Sequence, residues 1–148
     1  QALAIRLRVD GFVTFTGRVS DDVLLRVLST AGVCVNPDRA NEMNDKSTMN
    51  KIMEYMALGK AIVQFDLTEG RYSAQQAAAY ARRGDTIDFG DKIVALLDEP
   101  ERRKRMGELG YERVVKELQW RRQIRYLLAA YECLWPQEAE VGHETFVP

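Results

Sequence analysis

Polar and cationic side chains near position 50 have the types and spacing needed to bind a phosphate ester. Lys46, Ser47 and Thr48 directly precede an apolar pattern of helical period, and Asn50 and Lys51 lie in its first turn. The first turn of a helix has unpaired backbone N–H groups and the positive end of the helix dipole, and both attract anions. The pattern therefore predicts a diphosphate site at the start of this helix.

Glu54 adds a carboxylate one turn farther along the same helix, about 6 Å along its axis. A carboxylate repels phosphate, but it accepts hydrogen bonds from the two hydroxyls of a ribose. Diphosphate at the helix start and ribose at Glu54 together match a nucleoside diphosphate. The same residues also fit a solvated helix face on which Glu54 pairs with Lys51 three positions earlier.

Two predicted strands and one helix precede this segment. Phe12–Thr16 is rich in β-branched and aromatic residues and ends at Gly17, and Val33–Val35 is a brief apolar run stopped by Asn36 and Pro37. Between them, Ser20 is placed to cap a helix whose apolar side chains recur at helical spacing and predict one buried face. The residues of that face are Val23, Leu24, Val27, Leu28 and Ala31.

The binding helix itself is predicted to start at a Ser47 or Thr48 cap and to end at Gly59 in the C′ position. Its apolar positions recur as in a helix with a buried face and indicate core residues. They are Met49, Ile52, Met53, Met56 and Ala57. Residues 38–45 are predicted to form a loop, and Ala61–Phe65 is predicted to be a buried strand.

The remaining chain is predicted to be mainly helical. Residues 73–81 are alanine-rich and predict a helix that runs into a short strand at residues 78–81. Three helices are predicted to follow, over residues 91–98, 100–118 and 119–135. The aperiodic residues 136–148, which include the lone His143, predict a mobile tail without a catalytic role.

This order of elements predicts an α/β fold, a Rossmann-like three-layer domain with a parallel sheet that ends in several helices. Ligands of such sheets bind beyond the carboxyl ends of the strands. The loops expected there are residues 17–19, 36–45 and 66–71. The predicted domain spans residues 1–135.

Composition excludes several other classes of protein. The chain has 148 residues, 46% hydrophobic and 29% charged, with a net charge of −1, which fits one globular domain and argues against a nucleic-acid partner. Two distant cysteines show no metal-ligand spacing and fit a reducing, cytoplasmic setting. The sequence shows no membrane-spanning run, and its start at Gln1 inside a helical pattern predicts a piece of a longer protein.

Three stretches resemble the family-4 retaining glycosyltransferases, in the same order as in that family. They are VTFTGRVSDDVLLRVLSTAGVCVNP, NDKSTMNKIMEYMALGKAIV and the helical run from DKIVALLDEP to RQIRYLLAAYECL, and together they cover residues 11–134. The second resembles the family's donor-binding segment, E-x7-E-A-M-A-x-G-x-P-V. The first glutamate of that motif falls at Lys46, where the chain instead matches a variant with K-S-T-x-x-K-x-x-E-Y-M-A.

The resemblance implies a role for each matched position. Glu54 matches the glutamate that holds the donor ribose, Met49 and Asn50 match the backbone that meets the diphosphate, and residues 17–19 match the turn beside the nucleobase. The nucleotide-sugar-binding residues predicted in this way and from the helix start are Gly17, Arg18, Val19, Lys46, Ser47, Thr48, Met49, Asn50, Lys51 and Glu54.

The resemblance also implies a larger enzyme of GT-B fold, of which this chain is the C-terminal, donor-binding half. The acceptor domain and the basic Arg/Lys pair that stabilises the leaving diphosphate would lie upstream, so no catalytic residue is assigned and the chain alone is expected to be inactive. No cofactor or metal is expected, and contact with the inner membrane face is compatible with the family. Two alternatives stay open: a non-catalytic Rossmann-like interaction module, and a nucleotide-sugar epimerase of the same architecture.

Overall fold

The computed structural model describes residues 1–134 and contains one three-stranded parallel sheet. The strands are β1 (Cys34–Asn36), β2 (Ile62–Phe65) and β3 (Ala78–Ala81), in the spatial order β1-β2-β3. Val63 lies in register with Val35 on one side and with Ala79 on the other. The predicted strands at 33–35 and 61–65 are thus confirmed within one residue, and so is the short strand at 78–81.

Residues 1–134 contain eight α-helices. They are α1 (Ala2–Arg6), α2 (Asp21–Thr30), α3 (Glu42–Lys46), α4 (Asn50–Ala57), α5 (Thr68–Ala74), α6 (Thr86–Asp98), α7 (Pro100–Arg113) and α8 (Trp120–Leu134). A π-helical turn, Val114–Leu118, joins α7 to α8, and single 3-10 turns lie at Asp10–Phe12 and Gln75–Ala77.

Two hydrophobic cores lie on opposite faces of the sheet because side chains alternate along a strand. Ile62 packs with Ile52 and Met56 of α4 on one face. Val63 and its neighbour Phe65 pack with Phe89 of α6 on the other. The middle strand is buried on both faces, so the domain has the three layers that the sequence predicts for a Rossmann-like fold.

Helices α4 and α7 approach each other closely through glycine. The backbone of Gly59 has a φ of +64°, which ends α4 in the left-handed conformation expected of its C′ position. A Cβ at Gly107 of α7 would lie 2.0 Å from the carbonyl oxygen of Gly59, so only glycine fits there. The predicted end of α4 is confirmed, and its carboxyl end is held against α7.

The predicted strand at Phe12–Thr16 is wrong. Residues 10–12 form a 3-10 turn, residues 13–16 are outside any sheet, and the Phe12 side chain is 92% exposed. β-Propensity alone does not form a strand, because a strand needs a partner for its backbone hydrogen bonds. Within the described residues, β1 is paired on its β2 side only.

The predicted buried face of the helix after Ser20 is also wrong in large part. Helix α2 spans the expected residues, but it has no buried residue, and Leu24 and Val27 are 39% and 54% exposed. An open groove of about 400 Å³ lies between α2 and α4, and the side chains of Leu24 and Leu25 line it without being buried. Amphipathic spacing indicates which face can be buried but not whether another element reaches it.

Three helices also differ from prediction. Helix α6 starts at Thr86, five residues before the predicted start at residue 91, with Asp85 as its cap. Residues 42–46 of the predicted loop form the short helix α3, capped by the side chain of Asn41, which accepts a hydrogen bond from the N–H of Asn44. Helix α5 starts at Thr68 and ends at Ala74, earlier than the alanine-rich stretch indicated. None of the helices within residues 1–134 is long and apolar enough to cross a bilayer.

Candidate functional site

The carboxyl ends of the three parallel strands lead into one group of polar loops. β1 leads into Asp38 and α3, β2 leads into Asp66 and the start of α5, and β3 leads into Arg82 and Arg83. Side chains link these loops directly, since Asp45 of α3 lies 2.9 Å from Arg83 and also accepts hydrogen bonds from Thr68. The edge at which such sheets bind ligands is therefore an ordered polar surface.

Helix α4 begins at this edge, with Met49 as its N-cap residue and Asn50 as its first residue. The prediction that Ser47 or Thr48 caps it is wrong, because no side chain caps α4. The Ser47 hydroxyl donates to the Met43 carbonyl at 2.6 Å, and the Thr48 hydroxyl donates to Glu69 at 2.7 Å. Both hydroxyls are committed to partners in α3 and α5, so the first turn of α4 has no side-chain acceptor over its N–H groups.

The two lysines of the segment have different surroundings. Lys46 pairs with Glu42 one turn earlier at 2.7 Å, and both side chains are more than 70% exposed, so this pair contributes little to stability. Lys51 instead reaches back to Asp38 after β1 at 2.9 Å, with both side chains partly buried. Lys51 therefore joins the first turn of α4 to the end of β1, and its expected pairing with Glu54 is not found.

Glu54 is exposed on α4, one turn beyond Asn50 on the same face. Within residues 1–134 its carboxylate has no ion pair or hydrogen bond. It lines the open groove between α4 and α2 together with Asp21 and Leu24 of α2. A free carboxylate beside an open groove can accept hydrogen bonds from a ligand.

Residues 17–19 lie immediately before α2, on the same side as this groove. Gly17 has a φ of +64°, a left-handed conformation that favours glycine, and its carbonyl accepts a hydrogen bond from the Thr16 hydroxyl at 3.1 Å. Arg18 is exposed and Val19 is half-buried. Asp21 follows two residues later and lines the groove with Glu54, whereas none of residues 17–19 lines that groove itself.

Two buried acceptors at the end of β1 lack partners. Oδ1 of Asn36 and Oδ2 of Asp38 have no hydrogen-bond donor among residues 1–134. The Asn36 amide is held from its other side by Gln64 of β2, with a distance of 3.5 Å between Nδ2 and Oε1. Orphaned acceptors are uncommon in protein interiors, so this end of the sheet is suited to receive a donor group.

Three residues of this edge were not predicted as site residues: Asp45, Glu69 and Arg83. Hydrogen bonds from the backbone and side chain of Thr68 lower the pKa of Asp45, so this carboxylate is charged at neutral pH. The sequence offered one signal for them: each residue comes after the end of a strand, Asp45 after β1, Glu69 after β2 and Arg83 after β3. Their contacts join segments that lie far apart in the chain, and periodicity does not reveal such contacts.

Residues 1–134 contain no cluster of three or more His, Cys, Asp or Glu side chains placed to hold a metal ion. Cys34 is buried and Cys133 is exposed, and neither forms a disulfide. Burial raises the pKa of the Cys34 thiol, which keeps it protonated and consistent with a core residue. His143 lies outside the described residues. The polar groups at the carboxyl edge of the sheet are carboxylates, the side chains of Lys51 and Arg83, and the backbone N–H groups of α4.

Comparisons with known proteins identify the fold and the family. The structure is similar to sucrose-phosphate synthase from Thermosynechococcus elongatus, with a TM-score of 0.81 and 20% sequence identity, over 93% of this chain and 34% of that one. The chain thus spans about a third of that protein and has the α/β architecture of its GT-B fold. No curated protein matches the sequence. The family model of the group 1 glycosyl transferases matches residues 1–99, and the chain belongs to this family.

Proposed function

We propose that the chain is the donor-binding part of a retaining glycosyltransferase and holds a nucleoside diphosphate sugar at the carboxyl edge of its sheet. The observation that carries this proposal is the geometry of α4. Its uncapped first turn opens at this edge, and the unpaired carboxylate of Glu54 lies one turn beyond it. The first turn would bind the diphosphate, and Glu54 would accept hydrogen bonds from the ribose.

The remaining predicted residues fit around that ligand. Met49 and Asn50 would direct their N–H groups at the diphosphate, and Lys46 and Lys51 would add positive charge. The turn at residues 17–19 would lie against the nucleobase, because Asp21, two residues after this turn, lines the same groove as Glu54. Ser47 and Thr48 would act chiefly by holding the segment in place, since their hydroxyls already have partners.

The chemistry of transfer is assigned to the whole enzyme. We expect the leaving diphosphate to be stabilised by basic side chains and helix N–H groups without a metal or other cofactor. The acceptor, a polysaccharide or a lipid-linked glycan, would be bound by a second domain of the same protein, which would work in the cytoplasm or at the inner membrane face. The chain alone is expected to bind a donor but not to transfer its sugar.

Titration of the chain with UDP, GDP and ADP, followed by calorimetry, tests the proposal. Binding of one nucleotide with a dissociation constant of about 1 mM or lower is expected. Glu54→Gln removes the charge but keeps the shape, and loss of charged hydrogen bonds is expected to weaken binding about tenfold or more. Glu108→Gln is the matched control, because Glu108 is an exposed glutamate on α7, away from the α4 groove.

Equal affinities for the Glu54→Gln and Glu108→Gln variants would refute the ribose assignment. Absence of binding for all three nucleotides in a folded sample would favour the alternative of a non-catalytic interaction module. One observation supports that alternative: the apolar side chains of α2 and α8 are exposed, including Leu25 at 51% and Leu128 at 53%. The epimerase alternative requires a catalytic His, and residues 1–134 contain no His.

A further inference from the structure

The carboxylate of Asp45 caps a helix to which it is not adjacent in the chain. One of its oxygens accepts the backbone N–H of Thr68 at 2.9 Å, and the other accepts the Thr68 hydroxyl at 2.9 Å. Thr68 is the first residue of α5, and the N-cap residue of that helix, Leu67, has no polar side chain. Asp45 therefore supplies the capping carboxylate that α5 lacks locally.

The same carboxylate also contacts the segment that follows β3. Arg83 lies 2.9 Å from Oδ1 of Asp45, and its Nε donates to the carbonyl of Asp66 at 2.6 Å. Asp45 lies in the segment after β1, Thr68 after β2 and Arg83 after β3. One side chain thus joins the segments that follow all three strands.

A second contact holds the link between α3 and α4 against the same turn of α5. The Thr48 hydroxyl donates to Oε1 of Glu69 at 2.7 Å, and Ser73 donates to that oxygen at 3.1 Å. The link, residues 47–49, is therefore attached to α5 at two points, through Asp45 before it and through Thr48 within it. Thr48 lies two residues before Asn50, the first residue of α4, so this attachment is next to the start of that helix.

We propose that Asp45 is a positioning residue for the donor site: by capping α5 and pairing with Arg83, it holds residues 47–49 so that the first turn of α4 is ready to meet a diphosphate. This inference rests on the proposed function and extends it to a residue that would not touch the ligand. A site already in its binding geometry avoids the entropy cost of ordering a loop when the ligand arrives.

Asp85 offers a matched control for the stability effect of losing a cap. Its carboxylate caps α6 by accepting the N–H groups of Ile87 and Asp88, and it pairs with Arg82 at 2.9 Å. It thus resembles Asp45 in chemistry, but its contacts run to α6 and not to the link before α4. Asp45→Ala and Asp85→Ala should lower the melting temperature by similar amounts.

The experiment measures nucleotide affinity and backbone amide NMR shifts in wild type and both variants. Asp45→Ala is expected to raise the dissociation constant about tenfold, the scale of a lost charged hydrogen bond, while Asp85→Ala leaves it within twofold. Asp45→Asn, which keeps an acceptor for the Thr68 N–H, should restore part of the affinity. Thr68→Val removes only the hydroxyl contact and gives a milder variant if Asp45→Ala does not fold.

The amide shifts of residues 47–51 separate this inference from the proposed function. They are expected to change in ligand-free Asp45→Ala and to stay unchanged in Asp85→Ala. If the wild type binds no nucleotide, the proposed function fails, and the shifts alone then decide whether Asp45 positions the link. Unchanged shifts in Asp45→Ala, or equal losses of affinity in the two alanine variants, would overturn the inference.

Discussion

Replacing Gly107 by alanine tests the close contact between α4 and α7. The added Cβ would lie 2.0 Å from the carbonyl oxygen of Gly59 and 2.7 Å from its carbonyl carbon. Both are backbone atoms, so no side-chain rotation can relieve the clash. An ordinary contact begins near 3.4 Å, so α7 must move away from α4 by about 1.4 Å.

That movement has a cost which can be estimated from the neighbouring contacts. Gly110 lies one turn along α7, where an added Cβ would be 3.2 Å from Cγ of the fully buried Met56, so separating the helices also loosens this part of the core. Overpacking of this kind costs about 1–3 kcal/mol. Alanine gains up to about 1 kcal/mol over glycine in a helix. The difference of these two effects gives an expected net loss of about 1 kcal/mol in the free energy of unfolding.

Urea unfolding followed by circular dichroism measures this loss. With a slope of about 2 kcal/mol per molar urea, the midpoint should fall by about 0.5 M. Gly90→Ala is the matched control: Gly90 lies inside α6, and its added Cβ would have no atom within 4 Å. That variant should gain about 0.5–1 kcal/mol from helix propensity alone. A midpoint for Gly107→Ala at or above that of wild type would refute the close approach of α4 and α7.

Two further predictions concern the core and the response to acid. Ile52 is fully buried against β2, so Ile52→Ala should cost about 2–5 kcal/mol and Ile52→Val about 0.5–1.5 kcal/mol in the same urea experiment, and equal midpoints for the two would contradict its burial. The pKa of Asp66 is lowered by its hydrogen bond from Arg71, and that of Asp85 by the N–H of Asp88. Both folded-state pKa values are below the unfolded-state value of about 3.9. The two carboxylates therefore stabilise the fold fully above about pH 3.9, and this stabilisation is lost as the pH falls through the folded-state pKa values. Melting temperatures between pH 6 and pH 2 should fall less steeply for Asp85→Asn than for wild type, and parallel curves would contradict this assignment.

The sequence by itself determined the elements whose signals are local. The spacing of Ile52 and Met56 predicted the buried face of α4, and both side chains are fully buried. Gly59 predicted the end of that helix, because a left-handed residue is needed after the last turn. The apolar run at β2 predicted a strand covered on both faces, and the alternation of strands and helices predicted the parallel sheet; the central place of β2 came from the structure. These features depend on a residue and its near neighbours in the chain.

Only the tertiary structure decided features that depend on distant partners. Residues 12–16 have strand propensity but no paired strand within the described chain, and α2 has amphipathic spacing but an open groove beside it. Thr48 has the residue type of a helix cap, yet its hydroxyl is bound to Glu69, 21 residues away.

In the candidate site, too, some features were predicted from the sequence and others were found only in the structure. The residue types and spacing near position 50 predicted its helix start and Glu54, although the N-cap residue is Met49, one or two residues later than the predicted cap. The cap that Asp45 gives α5, the Lys51–Asp38 pair and the bond from Arg83 to Asp45 each join segments that only the parallel sheet brings together. A periodic pattern specifies a face of a helix or strand, whereas the partner of a polar side chain depends on how the chain folds back on itself.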